Sequence, residues 1–200
     1  MGQGRLMDTV TPDAILAFWF GQPGTAEHGQ PRMVWFRKDT AFDDEIRRRF
    51  LVATEAALAG ELSDWAAEPP GLLALLILLD QFPRNLFRGE ASAFAGDEQA
   101  RQLAAKALEH GWDEALSAVE KLFIYLPLEH SESLADQEQS VRLFTALAAQ
   151  HSGCEGFLDY ARRHHEVIAR FGRFPHRNAA LGRASTADEA AYLAQPDSGF

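Results

Sequence analysis

Leu72-Leu73-Ala74-Leu75-Leu76-Ile77-Leu78-Leu79 is apolar at every position, so it has no face to turn toward water at a period of either two or 3.6. Such a segment has to be surrounded by other elements of the chain. It is too short to cross a bilayer, which needs about 20 apolar residues. Between Pro69-Pro70-Gly71 and Asp80-Gln81-Phe82-Pro83 it reads as a central helix that Pro83 breaks, leaving Arg84 and Asn85 at a polar exit.

The segments around it keep helical spacing. Thr11-Pro12-Asp13 opens a short helix through Phe20 that stops at Gly21, with the cap before a proline at the first helical position. Gly21–Pro31 is loop-like, and Thr40 with Asp43 is expected to cap a helix bearing Phe42, Ile46, Phe50, Ala53 and Ala57. Asp97-Glu98 starts a helix closed by Gly111, and Asp113 is expected to cap the next, which runs to Pro127. Further stripes are Val141, Phe144, Leu147 and, after Gly153, Phe157, Ala161, His164, Ile168, Phe171; Ser185, Thr186 and Glu189 cap a last short helix. No segment alternates with a period of two, so the fold class is all-α, and residues 1–200 are read as a single all-helical domain.

With 19 basic against 29 acidic side chains and a formal net charge of −10, nucleic acid and anionic membrane surfaces are not expected partners, because both demand a basic footprint. The one cysteine, Cys154, rules out an intrachain disulfide and points to a reducing, cytoplasmic setting. Met1–Asp8 has no apolar leader, and Leu6 stands where a myristoylation signal wants Ser or Thr.

Against this acidic background, Arg170-Phe-Gly-Arg-Phe-Pro-His-Arg-Asn-Ala-Ala-Leu-Gly-Arg183 concentrates four arginines, His176 and Asn178 in one helix exit. Phe174-Pro175 is expected to end the preceding helix. An arginine there either caps free carbonyls at the negative pole of the helix or clamps a carboxylate or phosphate through its planar fork. Phe82-Pro83-Arg84-Asn85 resembles Phe174-Pro175-His176-Arg177-Asn178 with one residue inserted, and Asp97-Glu98 and Asp188-Glu189 follow at similar distances. Self-similarity of this kind suggests duplicated helix pairs, as in α-solenoids. Pro127-Leu128-Glu129-His130-Ser131-Glu132 forms a third polar knot after a proline.

Trp35-Phe36, Phe42-Asp43, Asp80 through Asn85, Pro127 through Glu132 and Phe171 through Arg183 together resemble the bacterial family called domain of unknown function 924, from about Asp13 to Leu193. The resemblance implies a tetratricopeptide-like α-α superhelix of stacked helical hairpins and brings no assigned reaction.

The chemistry therefore rests on the residues. Arg84, Asn85 and Arg88 at one exit, Arg173, His176, Arg177, Asn178 and Arg183 at the other, and Glu132 in the knot are the candidate ligand-binding set, for a small anionic molecule or an acidic peptide. His130 and Glu129 are the candidate acid–base pair of an alternative reading, a hydrolase or lyase acting on a small anionic metabolite. Arg84, Asn85, Glu129, His130, His176, Arg177 and Asn178 are expected in one neighbourhood, with Glu129 as internal counter-ion of the arginines and Arg177 open to water. The spacing of Glu129, His130, His164 and His176 matches no standard metal motif, and no cofactor fingerprint appears. His164 is expected as a core histidine, and Cys154, at a helix start, as a weak candidate nucleophile.

Overall fold

The computed structural model describes residues 10–196 and residue 198; the leader and lipidation readings of Met1–Asp8 fall outside them. Nine α-helices are present among the described residues: α1 (Pro12–Phe20), α2 (Thr40–Leu58), α3 (Pro69–Leu76), α4 (Phe82–Leu86), α5 (Asp97–Glu109), α6 (Ala118–Glu129), α7 (Leu134–Gln150), α8 (Glu155–Phe171) and α9 (Ala187–Leu193). No strand occurs among these residues. The fold is all-α, and α5, α6, α7 and α8 each pack on the helix before or after them in the chain, while α3 is embraced by α1, α5 and α6. Short links force this hairpin-like stacking.

The run from Leu72 to Leu79 is buried throughout, as its lack of a polar face requires. At one end Trp19 stacks on Trp35, with ring centroids 5.7 Å apart, and meets Phe82 and Phe123 edge-on at 5.6 and 5.5 Å. A smaller apolar group of Val167, Ile168 and Phe174, with Phe171 and Tyr192, seats α9 against the end of α8.

Three prolines behave differently from the sequence reading. Pro83 does not end the central helix: Ile77–Gln81 winds as a π-turn, with the Phe82 N–H reaching back to Ile77 O, and the helix continues through α4 to Leu86. The extra residue in the turn takes up the proline that an α-helical register would reject. Pro127 sits inside α6, buried on all sides, so Glu129 lies on the helix and His130 is its C-cap. Pro175 comes after the end of α8; the stop is Gly172, in the left-handed conformation at φ 69°, whose N–H returns to Ile168 O.

Two caps also move. Asp39, not Thr40 with Asp43, caps α2 by accepting from Phe42 N. Ser117 caps α6 in a reciprocal box with Glu120, while Asp113 accepts from the Tyr125 hydroxyl at 2.7 Å.

Candidate functional site

The π-turn turns Asp80 and Gln81 inward, and Asp80 is only 1% exposed. An ionised carboxylate there is tolerable only if every lone pair is engaged. His130 Nδ1 donates to Asp80 Oδ1 at 2.7 Å, Gln81 Nε2 donates to Oδ2 at 2.5 Å, and Arg84 Nη1 lies 3.2 Å from Oδ1. Burial alone would raise the Asp80 pKa, but Arg84 and His130 outweigh it and hold the carboxyl well below its ordinary range.

Arg84 then bridges to α5. Its Nη1 and Nη2 donate to Asp97 Oδ1 and Oδ2 at 2.8 and 3.1 Å. Asp97 can come this close because Gly96 lies against the π-turn: a Cβ on Gly96 would stand 2.2 Å from Leu79 O. Across the same carboxylate, Arg177 Nη1 donates to Asp97 Oδ2 and Nη2 to the His130 carbonyl, both at 3.0 Å. The Arg177 guanidinium lies between the rings of Phe94 and Phe174, 4.6 and 4.5 Å from their centroids. At 6% exposure it is buried, contrary to the expectation that it faces water. Burial, reinforced by the neighbouring Arg84 charge, lowers its pKa to about 10.

Glu129 is not the counter-ion of these arginines; Asp80 and Asp97 are. In the sequence Asp97 stands out as a helix start and as part of the Asp97-Glu98 and Asp188-Glu189 repeat, and Asp80 as part of a string. Local spacing offers only the i, i+4 relation of Asp80 to Arg84; the arginines that meet Asp97 lie 13 and 80 residues away in the chain. Glu129 is 3% exposed and its partner is His164, with Nδ1 3.2 Å from Glu129 Oε1 and 2.9 Å from Tyr160 O. Burial, and then the charge of Asp80, pushes the Glu129 pKa up to about 8. His164 is the buried histidine the apolar stripe indicated, and burial drives its pKa well below the ordinary value.

The other predicted residues fall into two further groups. Arg183 forks onto Glu132 at 2.7 and 2.9 Å and donates to Phe174 O and Asn178 Oδ1; Phe174 N donates to Glu132 Oε1 at 2.8 Å. Asn178 and Arg173 converge on Glu189 of α9, Arg173 at 2.7 and 2.8 Å. These contacts brace the chain from Arg173 to Glu189. Asn85 and Arg88 instead engage Asp43 in the first turn of α2, at 2.7 and 3.1 Å. His176 lies beside Phe174 with the rings tilted and their centroids 5.5 Å apart, and burial lowers its pKa to about 4. Thus Arg84, His130 and Arg177 meet through Asp80, Asp97 and the His130 carbonyl, Glu132 lines the same opening with Arg183 forked onto it, and Asn85, Arg88, Arg173 and Asn178 work elsewhere.

The opening is a cleft of about 190 Å³ lined by Asp97, Glu98, Arg101, His130, Ser131, Glu132 and Arg177. Because ionised Asp80 can only accept, Nδ1 of His130 carries the proton and Nε2 holds the lone pair. No hydrogen bond among the described residues engages that Nε2. Burial, then Arg84, keeps the imidazole below its ordinary pKa, which favours its neutral form. The Ser131 hydroxyl, the one hydroxyl of the lining, donates to Asp136 Oδ2 at 2.7 Å. Cys154 is buried, and burial raises its thiol pKa, the reverse of activation. No group of three metal-ligating side chains is found among the described residues, and no helix of theirs is long and apolar enough to cross a membrane.

Residues 15–197 match the model of a family described as a bacterial protein of unknown function, DUF924. A solved structure of a protein of unknown function from Agrobacterium tumefaciens is similar to this chain, with 39% sequence identity, a TM-score of 0.79, and coverage of 92% of this chain and 96% of that one. No curated protein matches.

Proposed function

This chain belongs to the DUF924 family of bacterial proteins of unknown function, and from its own geometry we propose that the cleft over His130 is an acid–base site for a small polar metabolite. One observation carries the reading: His130 Nδ1 is tied to the buried Asp80 while Nε2 is left unengaged where the imidazole lines the cleft. An imidazole fixed in this tautomer takes a proton through Nε2 from a substrate group or a water, and Asp80 stabilises the imidazolium that forms. Arg84 and Gln81 keep Asp80 ionised and correctly turned, so they act as positioning residues. Returning the proton to a leaving group completes a hydrolase- or lyase-type cycle.

The cleft also limits the substrate. Its volume of about 190 Å³ is below the roughly 300–1,000 Å³ of drug-sized pockets, which suits a compact metabolite. Arg101 and Arg177 stand against Asp97, Glu98 and Glu132 in the lining, and both arginines are already paired, with Glu98 and Asp97, so a zwitterion or a neutral polar molecule fits better than a polyacidic peptide. A binding role without turnover is the second reading. It is favoured by the lining, whose single hydroxyl, Ser131, is held by Asp136 and which contains no thiol or lysine.

The test is a thermal-shift screen with small carboxylic acids, amino acids and phosphate monoesters, followed by turnover assays of each stabilising compound. His130→Ala and His130→Gln should abolish turnover, and the wild-type rate should rise with pH through an ionisation below 6.5, the imidazole's ordinary value. Binding that is lost in His130→Ala without any turnover establishes the second reading. Compounds that stabilise wild type and His130→Ala equally place the ligand elsewhere and sink both.

A further inference from the structure

Two carboxyl–imidazole pairs lie side by side in this cluster, and only one of them reaches the cleft. Asp80–His130 is the open pair. Glu129–His164 is sealed beneath it, with Glu129 next to His130 in the chain and the two imidazole rings 6.2 Å apart. Phe174 closes over His164 edge-on at 5.5 Å. The sealed pair touches no substrate, so it needs a different role from the acid–base partner that the string Glu129-His130 suggests.

Asp80 is common to both pairs. It receives the His130 proton, and it is the charge that acts on the Glu129 carboxyl. The other charged or titratable groups of the cluster are Arg84 from α4, Asp97 from α5, Glu132 in the link to α7, and His176 and Arg177 from the turn after α8. From α7 come the neutral Gln137, whose amide donates to the Glu129 carbonyl, and Asp136, which faces Ser131 and Arg101 at the rim. With a proton on Glu129 the two pairs together carry one carboxylate charge; without it they carry two, and the second charge sits in the same low-dielectric space as His130.

We propose that Glu129 and His164 form a sealed proton-holding station that tunes His130: loss of the Glu129 proton raises the proton affinity of the imidazole in the cleft. The coupling is reciprocal, as linkage requires. When His130 accepts a proton, the new positive charge beside Glu129 favours release of the Glu129 proton, so forming the imidazolium need not change the net charge of the buried cluster. The functional meaning rests on His130 being the working base, but the coupling can be measured without any substrate.

The experiment follows the His130 and His164 imidazole resonances by NMR from pH 5 to pH 9.5. In wild type both resonances should show an inflection near pH 8, the value of Glu129, separate from the titration of His130 itself. Glu129→Gln mimics the protonated acid, and it should remove that inflection while leaving the lower one. A wild-type His130 resonance that is flat through pH 8, or an inflection that survives in Glu129→Gln, overturns the proposal. Should Glu129→Gln not fold, infrared difference spectra of wild type decide. A protonated carboxylic acid band should vanish with the same midpoint as the His130 step, and its absence at pH 6 overturns the proposal. Coupled titrations without any ligand or turnover would leave this inference standing and remove only the functional reading.

Discussion

Phe82-Pro83-Arg84-Asn85 and Phe174-Pro175-His176-Arg177-Asn178 are nearly the same string, and their arginines end on the two oxygens of one carboxylate, Asp97. The backbones that deliver them are unlike. The first string lies on a helix that continues out of a π-turn, the second on a short 3₁₀ turn after a glycine stop. As a result Arg84 has a second carboxylate, Asp80, within 3.2 Å, whereas Arg177 has aromatic rings on both faces and shares Asp97 with a competing cation. Despite burial, Asp80 and Asp97 raise the Arg84 pKa above its ordinary value; burial and Arg84 together lower that of Arg177. Similar letters thus give one over-neutralised and one under-neutralised arginine, and the difference lies in what the turn before each brings along.

The largest effect should come from breaking the first member. Arg84→Ala leaves Asp80 buried with His130 and Gln81 as its remaining partners, a loss expected to cost about 3–5 kcal/mol. Urea denaturation at pH 7 measures it. The pH dependence sharpens the point: the Asp80 pKa is depressed from 3.8, so its contribution is present above that value and is lost as pH falls. In Arg84→Ala this acid-side loss should shrink, because the folded-state pKa moves back up. A cost below about 1 kcal/mol, the size of an exposed pair, would show that the two arginines do not differ as argued.

Arg177→Ala should cost less, about 3 kcal/mol at the low end for a broken buried pair, because Asp97 keeps Arg84. The loss is expected to be mostly packing against Phe94 and Phe174 and the freed His130 carbonyl. Arg177→Lys should therefore recover little of it, since an ammonium has neither the fork nor the flat face. Equal stability of Arg177→Lys and wild type in the same titration would assign the contribution of Arg177 to charge alone.

Helical periodicity made α2, α5, α7 and α8 legible, because each buries one face, and the unbroken run at Leu72–Leu79 marked the centre. At Pro175 the stop belonged to Gly172, and inside helices proline was misleading at Pro83 and Pro127. Its cost inside a helix is local and of order 3 kcal/mol, and a sequence does not display the tertiary burial or the π-turn that offsets it. The meeting of Arg84, His130 and Arg177 was legible, although the proline-ended helices that suggested it are absent at Pro83 and Pro127. Their counter-ions were not, since Asp80 needs the π-turn to point inward and Asp97 needs the close approach at Gly96, both consequences of packing. The burial of Arg177 escaped for the same reason, because Phe94, one wall of its slot, lies far away in the chain.

The carboxyl that lacks an arginine, Glu129, gives a third test. Its pKa is raised from 4.5 to about 8, so its contribution to stability is complete below about pH 4.5 and is shed as pH rises toward 8, at no more than about 1.4 kcal/mol per pH unit. Glu129→Gln should lack this slope and gain on wild type as the pH is raised. Denaturant midpoints of both proteins between pH 5 and pH 8.5 check it, and parallel curves would mean that Glu129 is ionised throughout and has found a cation.

The smallest effect is expected where the first string leaves the cluster. Asn178 is buried and joins Arg183 to Glu189, but its counterpart Asn85 turns away toward α2, where it and Arg88 hold Asp43. The Arg88 side chain is 44% exposed, so water screens the pair and the long side chain loses entropy in making it. Arg88→Ala should therefore cost about 0–1 kcal/mol, and that cost should fade with added salt as the Debye length contracts. The same substitution should leave the cleft over His130 untouched, because neither Arg88 nor Asp43 lines it. A salt-independent loss above about 2 kcal/mol would exceed what an exposed pair supplies. It would place Asp43 within the buried charge network and make the two strings more alike than their backbones suggest.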